Sequence, residues 1–146
     1  MIYMAAAEQT CIVQVILRHE EFLNLRQHRR NETTLKKRIL DFIRWLHQKG
    51  FRHFIVFINN TVDFWLAELL YFMESSDKKA ALSYSLYLVP EDVEQINEWT
   101  MEEYYFDEVV RHAEKVHWCH GYWRMPGFPL MLLDMTDHSS FCEHCC

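Results

Sequence analysis

The stretch from Phe51 to Leu70 constrains the fold of this chain more than any other. Residues 54–58, after His53, form a continuous apolar run that is typical of a buried strand, and apolar residues recur at helical spacing from Val62 onward. A strand that passes through a tight turn into a helix is the repeating unit of an α/β protein. Such a turn commonly binds a phosphate, because helix N-terminal N–H groups point into it. Here the turn, 59–61, contains no glycine.

The rest of the chain repeats the alternation of strands and helices. Apolar, β-rich runs predict strands at 11–17, 53–58, 83–89 and 116–119. Helices are predicted from Thr33 or Thr34 to Lys49, from Asn60 or Thr61 onward, at 101–114 and, after two prolines, at 130–137. Gly50 suits the left-handed position that ends a helix. The pattern predicts a Rossmann-like three-layer α/β sandwich with a mainly parallel sheet of four to five strands.

Length and composition indicate one globular domain. The 146 residues are 50% apolar and 25% charged, so residues 1–146 are predicted to form a single domain, with 1–10 and 141–146 as tails. The net charge of −6 argues against a nucleic-acid partner. The basic cluster at 26–30 is interpreted as a solvated loop that leads into a helix.

The sequence also predicts where the protein resides. No run reaches the roughly 18 uninterrupted apolar residues of a membrane span. The N-terminus lacks the basic region and long apolar segment of a signal peptide. Five cysteines, an odd count, then favour reduced thiols in the cytoplasm.

Five fragments, in order, resemble one known family. They are Gly50-Phe51 followed by His53-Phe54-Ile55, Val62-Asp63 with Trp65 and Ala67-Glu68, Pro90 with Trp99-Thr100, Ala113 to Val116, and Met135 to Ser140. Together the chain resembles the YpsA-like branch of the SLOG superfamily, the Rossmann-like group that includes DprA and the LOG phosphoribohydrolases. The resemblance covers about residues 11–140. It implies a nucleotide-like ligand at the carboxyl ends of the strands.

The departures from the family pattern lie at its ligand-binding turns. The first turn, T-G-H-R in the family, keeps only Arg18, and the second, G-G-A-L-G-V-D, has lost every glycine. Ile16 and Phe57 add bulk, and glycine is what lets backbone approach a phosphate closely. Met131 and Leu133 stand where the family has polar anchors. The P-G-G-x-G-T-x-x-E pattern of the LOG enzymes and the family's final strand are absent, so the chain resembles a C-terminally shortened, divergent member with weakened or lost nucleotide binding.

A residual pocket is predicted around the second turn. Its candidate ligand-binding residues are Arg18, Asn59, Asn60, Thr61 and Asp63. Asp63 and Glu68 are the candidate catalytic pair, since two carboxylates facing one direction can perform acid–base chemistry. The alternative for Asp63 is that it caps the helix, where a carboxylate is favoured by the helix dipole.

The C-terminal third contains a possible zinc site. Cys142-Glu143-His144-Cys145 has C-x-x-C spacing, and His117 and His120 could supply two further ligands. The candidate ligands are therefore His117, His120, Cys142 and Cys145, and zinc would pin the tail. The alternative is reduced thiols in a frayed terminus, which the sequence favours.

Aromatic residues cluster near two prolines, and they suggest a surface. Trp118, Tyr122, Trp123 and Phe128 either cover an open sheet edge within the chain or form a homodimer interface. The leading hypothesis is a non-enzymatic domain for ligand sensing or protein interaction. A nucleotide-processing hydrolase that uses Asp63 and Glu68 and a zinc-stabilised interaction module are the alternatives.

Overall fold

A computed structural model describes residues 9–16, 29–59, 61–76, 79, 81–88, 103–119, 127–134 and 142–143. Within these ranges the strands are β1 Thr10–Ile16, β2 His53–Ile58, β3 Ser83–Leu88, β4 Lys115–Trp118, β5 Leu130–Asp134 and β6 Cys142–Glu143. The helices are α1 Arg29–Gln48, α2 Thr61–Ser76 and α3 Glu103–His112. None of the described helices is both long and apolar enough to cross a membrane.

The strands form one sheet in the order β4-β3-β2-β1-β5-β6. Strands β1 to β5 are parallel, and only the two-residue β6 runs antiparallel, beside β5. This confirms the predicted Rossmann-like α/β sandwich and its mainly parallel sheet. Strand β2 has the predicted bounds, whereas β6 lies in a segment that was predicted to be a tail.

The three described helices pack on the same face of the sheet. Along the chain, β1 to β4 are added one after another in a single direction, and right-handed crossovers then place every connecting helix on one side. Residues of all three helices and alternate residues of the strands form the main core. Its largest fully buried side chains include Phe42 of α1, Phe54 of β2, Phe64 of α2 and Tyr84 of β3.

The opposite face carries a smaller apolar cluster. Ile12, Ile55 and Phe57 are its buried residues, and Tyr87 and Phe128 pack against them. Side chains alternate between faces along a strand, so β1 and β2 contribute to both cores. This is why their sequences are continuous apolar runs instead of alternating ones.

Strand β5 corrects the prediction of a helix at 130–137. Leu and Met are good helix formers, and a short apolar run does not distinguish a strand from a buried helix by periodicity. In the structure Met131, Leu132 and Leu133 are all buried, because β5 lies between β1 and β6 with both faces covered. Burial on both faces therefore overrides local propensity here.

Helix α1 begins before its predicted start but ends as predicted. It starts at Arg29 instead of near Thr33, because its first turn is polar and gives no apolar periodicity to detect. At its end Gly50 has a φ of 109°. The N–H of Gly50 donates to the carbonyl of His47, and the N–H of Phe51 donates to the carbonyl of Leu46. This is the Schellman arrangement, and it turns the chain into β2.

Candidate functional site at the carboxyl ends of the strands

The strand order reverses between β1 and β5. From β1 the chain extends the sheet in one direction through β2, β3 and β4, and then returns to place β5 on the other side of β1. In open α/β sheets, ligands bind in the crevice outside the carboxyl ends of strands at such a switch point. Ile16 and Asp134, paired in register, end the two strands there. Ile16 is 40% exposed, and Asp134 is half-buried.

The turn between β2 and α2 lies one strand away. Asn59 follows the last residue of β2 and is exposed, and α2 starts at Thr61. The backbone N–H of Asn59 donates to Oδ2 of Asp63, at 3.0 Å. Asp63 is 5% exposed although it carries a carboxylate. Its side chain therefore folds back over the start of its own helix.

The position of Asp63 in the first turn of α2 fits the capping role, one of the two roles predicted for it, and the N–H that its carboxylate accepts belongs to Asn59 in the preceding turn. A helix N-terminus has N–H groups without intrahelical partners and the positive end of the dipole, and an anion there is stabilising. In a phosphate-binding turn an external anion supplies that charge. Here the carboxylate of Asp63 lies within the first turn of α2 and supplies it from inside the chain.

The bulky residues near the turns occupy different places. Phe57 is 2% exposed and points to the face opposite the helices, where its ring stacks on Tyr87 with centroids 4.5 Å apart. Ile16 stays at the solvent-exposed end of β1. Met131 and Leu133, which replace polar anchors, belong to the main core. Arg18 and Asn60 lie outside the described residues, as does the side chain of Thr61.

The side chains of Glu68 and Asp63 leave helix α2 in different directions. Both residues lie in the continuous helix α2. Five residues along an α-helix correspond to a rotation of roughly 140° and a rise of about 7.5 Å. The helix therefore gives no shared orientation to the candidate catalytic pair, and Asp63 already accepts the Asn59 N–H.

The predicted zinc ligands are divided between opposite edges of the sheet. His117 lies on β4 and Cys142 on β6, the first and last strands in the order. Five inter-strand spacings separate these strands, roughly 24 Å at about 4.8 Å each. Because zinc–ligand bonds are about 2.0–2.3 Å long, one ion cannot bind both residues. The prediction that His117 and Cys142 bind one zinc ion was wrong, because the pairing of β6 with β5 holds Cys142 away from β4. His120 and Cys145 lie outside the described residues.

Cys11 and Cys119 are free thiols. Cys11 is fully buried in the main core, and burial raises its pKa to about 12. A thiol in that environment stays protonated at neutral pH, so Cys11 is an inert core residue. Among the residues that the structure describes, no group of three or more His, Cys, Asp or Glu side chains is arranged to hold a metal.

The predicted aromatic surface is also divided. Trp118 is 50% exposed on β4. Phe128 precedes β5 and packs against the cluster of Ile12, Ile55 and Phe57. Four inter-strand spacings separate β4 from β5, so Trp118 and Phe128 cannot belong to one patch. Tyr122 and Trp123 lie outside the described residues.

A polar cluster at the amino ends of the strands was missed by the sequence interpretation. Nδ1 of His53 lies 2.7 Å from Oγ of Ser83 and 3.2 Å from Oε2 of Glu114, and Nε2 lies 2.8 Å from Oγ of Ser85. A carboxylate only accepts hydrogen bonds, so the neutral ring donates from Nδ1 and accepts the Ser85 hydroxyl at Nε2. The serines two residues apart in β3 were the available signal, because they share a face.

This cluster has the connectivity of a hydrolase triad, but its setting is structural. Ser85 is 4% exposed, so its hydroxyl has no access to a substrate. A nucleophile must reach the reacting atom as well as its base. The lowered pKa of His53, caused first by burial and opposed by the charge of Glu114, keeps the imidazole neutral near pH 7. The cluster joins β2, β3 and the start of β4.

Comparison with known proteins gives this chain no neighbour: no family model, no curated protein and no solved structure matches it.

Proposed function

We propose that this chain is a non-enzymatic, Rossmann-like domain for ligand sensing or protein interaction, and a divergent YpsA-like member of the SLOG superfamily. The observation that carries the proposal is the hydrogen bond from the Asn59 N–H to the Asp63 carboxylate. The helix terminus that would hold a ligand phosphate is already neutralised by a buried side chain. A phosphate at this turn would meet negative charge and a backbone N–H already in use.

The remaining ligand surface is the crevice beside Ile16 and Asp134. Asp134 adds a second carboxylate to the carboxyl ends of the strands, in a protein with a net charge of −6. Like charges repel, so these groups disfavour polyphosphates. A carboxylate at the end of a Rossmann strand can accept hydrogen bonds from ribose hydroxyls. A nucleoside-like ligand without a phosphate requirement, bound weakly, is the class that this edge suits.

The same residues also disfavour catalysis at this end of the sheet. Asp63 is occupied as a cap, and Glu68 is turned away from it by the helix geometry. The polar cluster of His53, Ser83, Ser85 and Glu114 is closed to substrate by the burial of Ser85. A cytoplasmic location accompanies the proposal, because Cys11 and Cys119 are free thiols.

A thermal-shift panel tests the proposal. Nucleotides, nucleosides, ADP-ribose-like compounds and inorganic phosphate are added to wild-type protein, Asp63→Ala and Asp63→Asn. We expect phosphate and nucleotides to leave the wild-type Tm unchanged, and phosphate to raise the Tm of Asp63→Ala, because the vacated helix terminus then accepts an anion. A ligand at 100 times its Kd would stabilise the folded state by about 2.7 kcal/mol.

Asp63→Asn is the matched control, because it keeps an acceptor oxygen for the Asn59 N–H and removes only the charge. It should respond to phosphate less than Asp63→Ala does. Equal stabilisation of wild type and Asp63→Ala by phosphate would contradict the proposal, since the carboxylate would then not exclude the anion.

A further inference from the structure

Among the described strands, β4 forms one edge of the sheet. It is the outermost strand in the order, and three of its four residues are exposed, including Trp118 at 50%. An edge strand presents N–H and C=O groups that can pair with another chain. Within the described part of the chain, β4 has a strand neighbour only on the side of β3.

The direction of the backbone groups along β4 follows from one hydrogen bond. The N–H of Cys119 donates to the carbonyl of Leu88 in β3, at 2.7 Å. In a parallel ladder, the two backbone groups of one residue point to the same side, and successive residues alternate. His117 therefore points its backbone groups toward β3. Val116 and Trp118 point theirs toward the open edge.

A row of stacked rings crosses the sheet and ends at the same edge. Phe57, Tyr87 and His117 are register neighbours on β2, β3 and β4. The Phe57 and Tyr87 centroids lie 4.5 Å apart, and the Tyr87 and His117 centroids lie 4.4 Å apart. Interplanar angles of 22° and 21° make both contacts stacked. Among the described residues His117 is the outermost ring of this row, and it is exposed.

The directions of the backbone groups on β4 and the row of stacked rings both match a second copy of β4 that pairs with the first at His117. Consider an antiparallel copy of β4 related by a two-fold axis that is perpendicular to the sheet and lies midway between His117 and the His117 of the copy. Val116 of each chain then lies opposite Trp118 of the other. Both residues point their backbone groups to the edge, so the two pairs exchange four hydrogen bonds. His117 meets the copy's His117 in the closer, non-hydrogen-bonded type of pair, with Cα atoms about 4.5 Å apart. The stack then continues into the copy.

The neighbouring register, centred on Val116, is poorer. It places Trp118 opposite Glu114 of the copy, but the N–H of Glu114 already donates to the carbonyl of Tyr84, at 2.8 Å. In that register the Glu114 N–H cannot donate to the Trp118 carbonyl of the copy, so each Trp118–Glu114 pair loses one of its two hydrogen bonds. The same register also places Lys115 opposite His117, so the ring stack ends at the edge.

We propose that this protein forms a homodimer by antiparallel pairing of its β4 edges about His117, which joins two sheets into one. The ring stack then runs from Phe57 of one protomer to Phe57 of its partner. On the helical face, Trp118 of each protomer covers half-buried Val116 of the other. A four-residue edge falls among the smaller interfaces, below roughly 1,200 Å² in total, so the dimer is concentration-dependent.

Sedimentation over a protein concentration range from about 1 μM to about 1 mM tests the pairing. Val116→Pro removes an N–H that faces the edge without removing a hydrogen bond to β3, and proline is tolerated on edge strands. It deletes two of the four inter-subunit hydrogen bonds, so the dimer Kd should rise at least about tenfold. The control is Phe72→Lys, which removes another exposed apolar side chain, 42% exposed on α2, and should leave the Kd unchanged.

Cross-linking identifies the register independently of whether Val116→Pro folds. In a Cys119→Ser background, His117→Cys should form an inter-subunit disulfide on mild oxidation, because directly opposed Cβ atoms approach to about 4.5 Å. Val116→Cys in the same background should not, because its own copy lies two positions away in this register. A protein that stays monomeric throughout the range overturns the proposal, as does a dimer that cross-links through Val116→Cys and not through His117→Cys. Neither result depends on the phosphate panel above.

Discussion

At the carboxyl ends of the strands one buried carboxylate closes the β2–α2 turn, whereas at the amino ends a half-buried imidazole is shared among two serines and a glutamate. Asp63 accepts an N–H from a residue four positions earlier. His53 contacts serines that are 30 and 32 positions away in the sequence. The first arrangement is a local property of a helix start. The second exists only because β2, β3 and β4 pair in register.

Because of this difference, mutations at the two ends of the strands should change different properties of the protein. At the carboxyl end, a permanent internal anion replaces a ligand, so the main effects of mutation should be on stability and anion binding. At the amino end, the imidazole is a titratable group in a buried setting, and its protonation should be coupled to folding. The following substitutions test this contrast.

Replacement of Asp63 by Ala should have the largest effect. It leaves the Asn59 N–H without its acceptor and removes charge from a helix N-terminus, which together should lower the free energy of unfolding by about 1–3 kcal/mol. Urea denaturation at low salt measures the change. Asp63→Asn should lose less, because its amide oxygen can accept the same bond. A loss below the error of the measurement for Asp63→Ala would remove the capping role.

Gly50→Ala should cause the second largest loss in the free energy of unfolding. The φ of 109° at Gly50 lies in the left-handed region, where a Cβ is strained, so we expect a loss of about 1–2 kcal/mol in the free energy of unfolding. The matched control is Gly127→Ala, because a Cβ added at Gly127 meets no atom within 4 Å. Equal losses in the two variants would show that the helix-ending turn is not what makes Gly50 necessary.

The smallest expected effect is the pH dependence of the stability that the His53 side chain contributes. Burial lowers its pKa in the folded protein, while the charge of Glu114 raises it and that of Lys115 lowers it. The unfolded chain therefore binds the proton first. The stabilising contribution of the neutral ring is present above about pH 6.5 and is lost as the pH falls through the lower folded value.

Urea unfolding between about pH 7.5 and pH 5 measures this contribution, with His53→Gln as the variant that cannot titrate. Wild type should lose more stability than His53→Gln as the pH falls. Glu114→Gln should steepen the loss, because it removes the carboxylate that favours the charged ring. Identical slopes in wild type and His53→Gln would mean that the imidazole is not coupled to folding.

The sequence predicted what local patterns specify. Strand β2, the end of α1 at Gly50 and the capping role open to Asp63 all depend on residues within a few positions of one another. The helix predicted at 130–137 was wrong, because an apolar run such as Leu-Met-Leu-Leu suits a helix and a fully buried strand equally well. The zinc site combining His117 with Cys142 was wrong for a different reason: spacing along the chain carries no information on which edge of a sheet each residue reaches.

The repeating strand–helix units, the parallel sheet and the lack of glycine at the β2–α2 turn can all be predicted from the sequence, because periodicity and backbone freedom are local. The tertiary structure buries Asp63 over that turn, brings His53 to Ser85 and Glu114, and makes His117 the outermost ring of the stack among the described strands. Those three features depend on strand order and register. Both are selected by burial of the whole sheet, and no short segment encodes them.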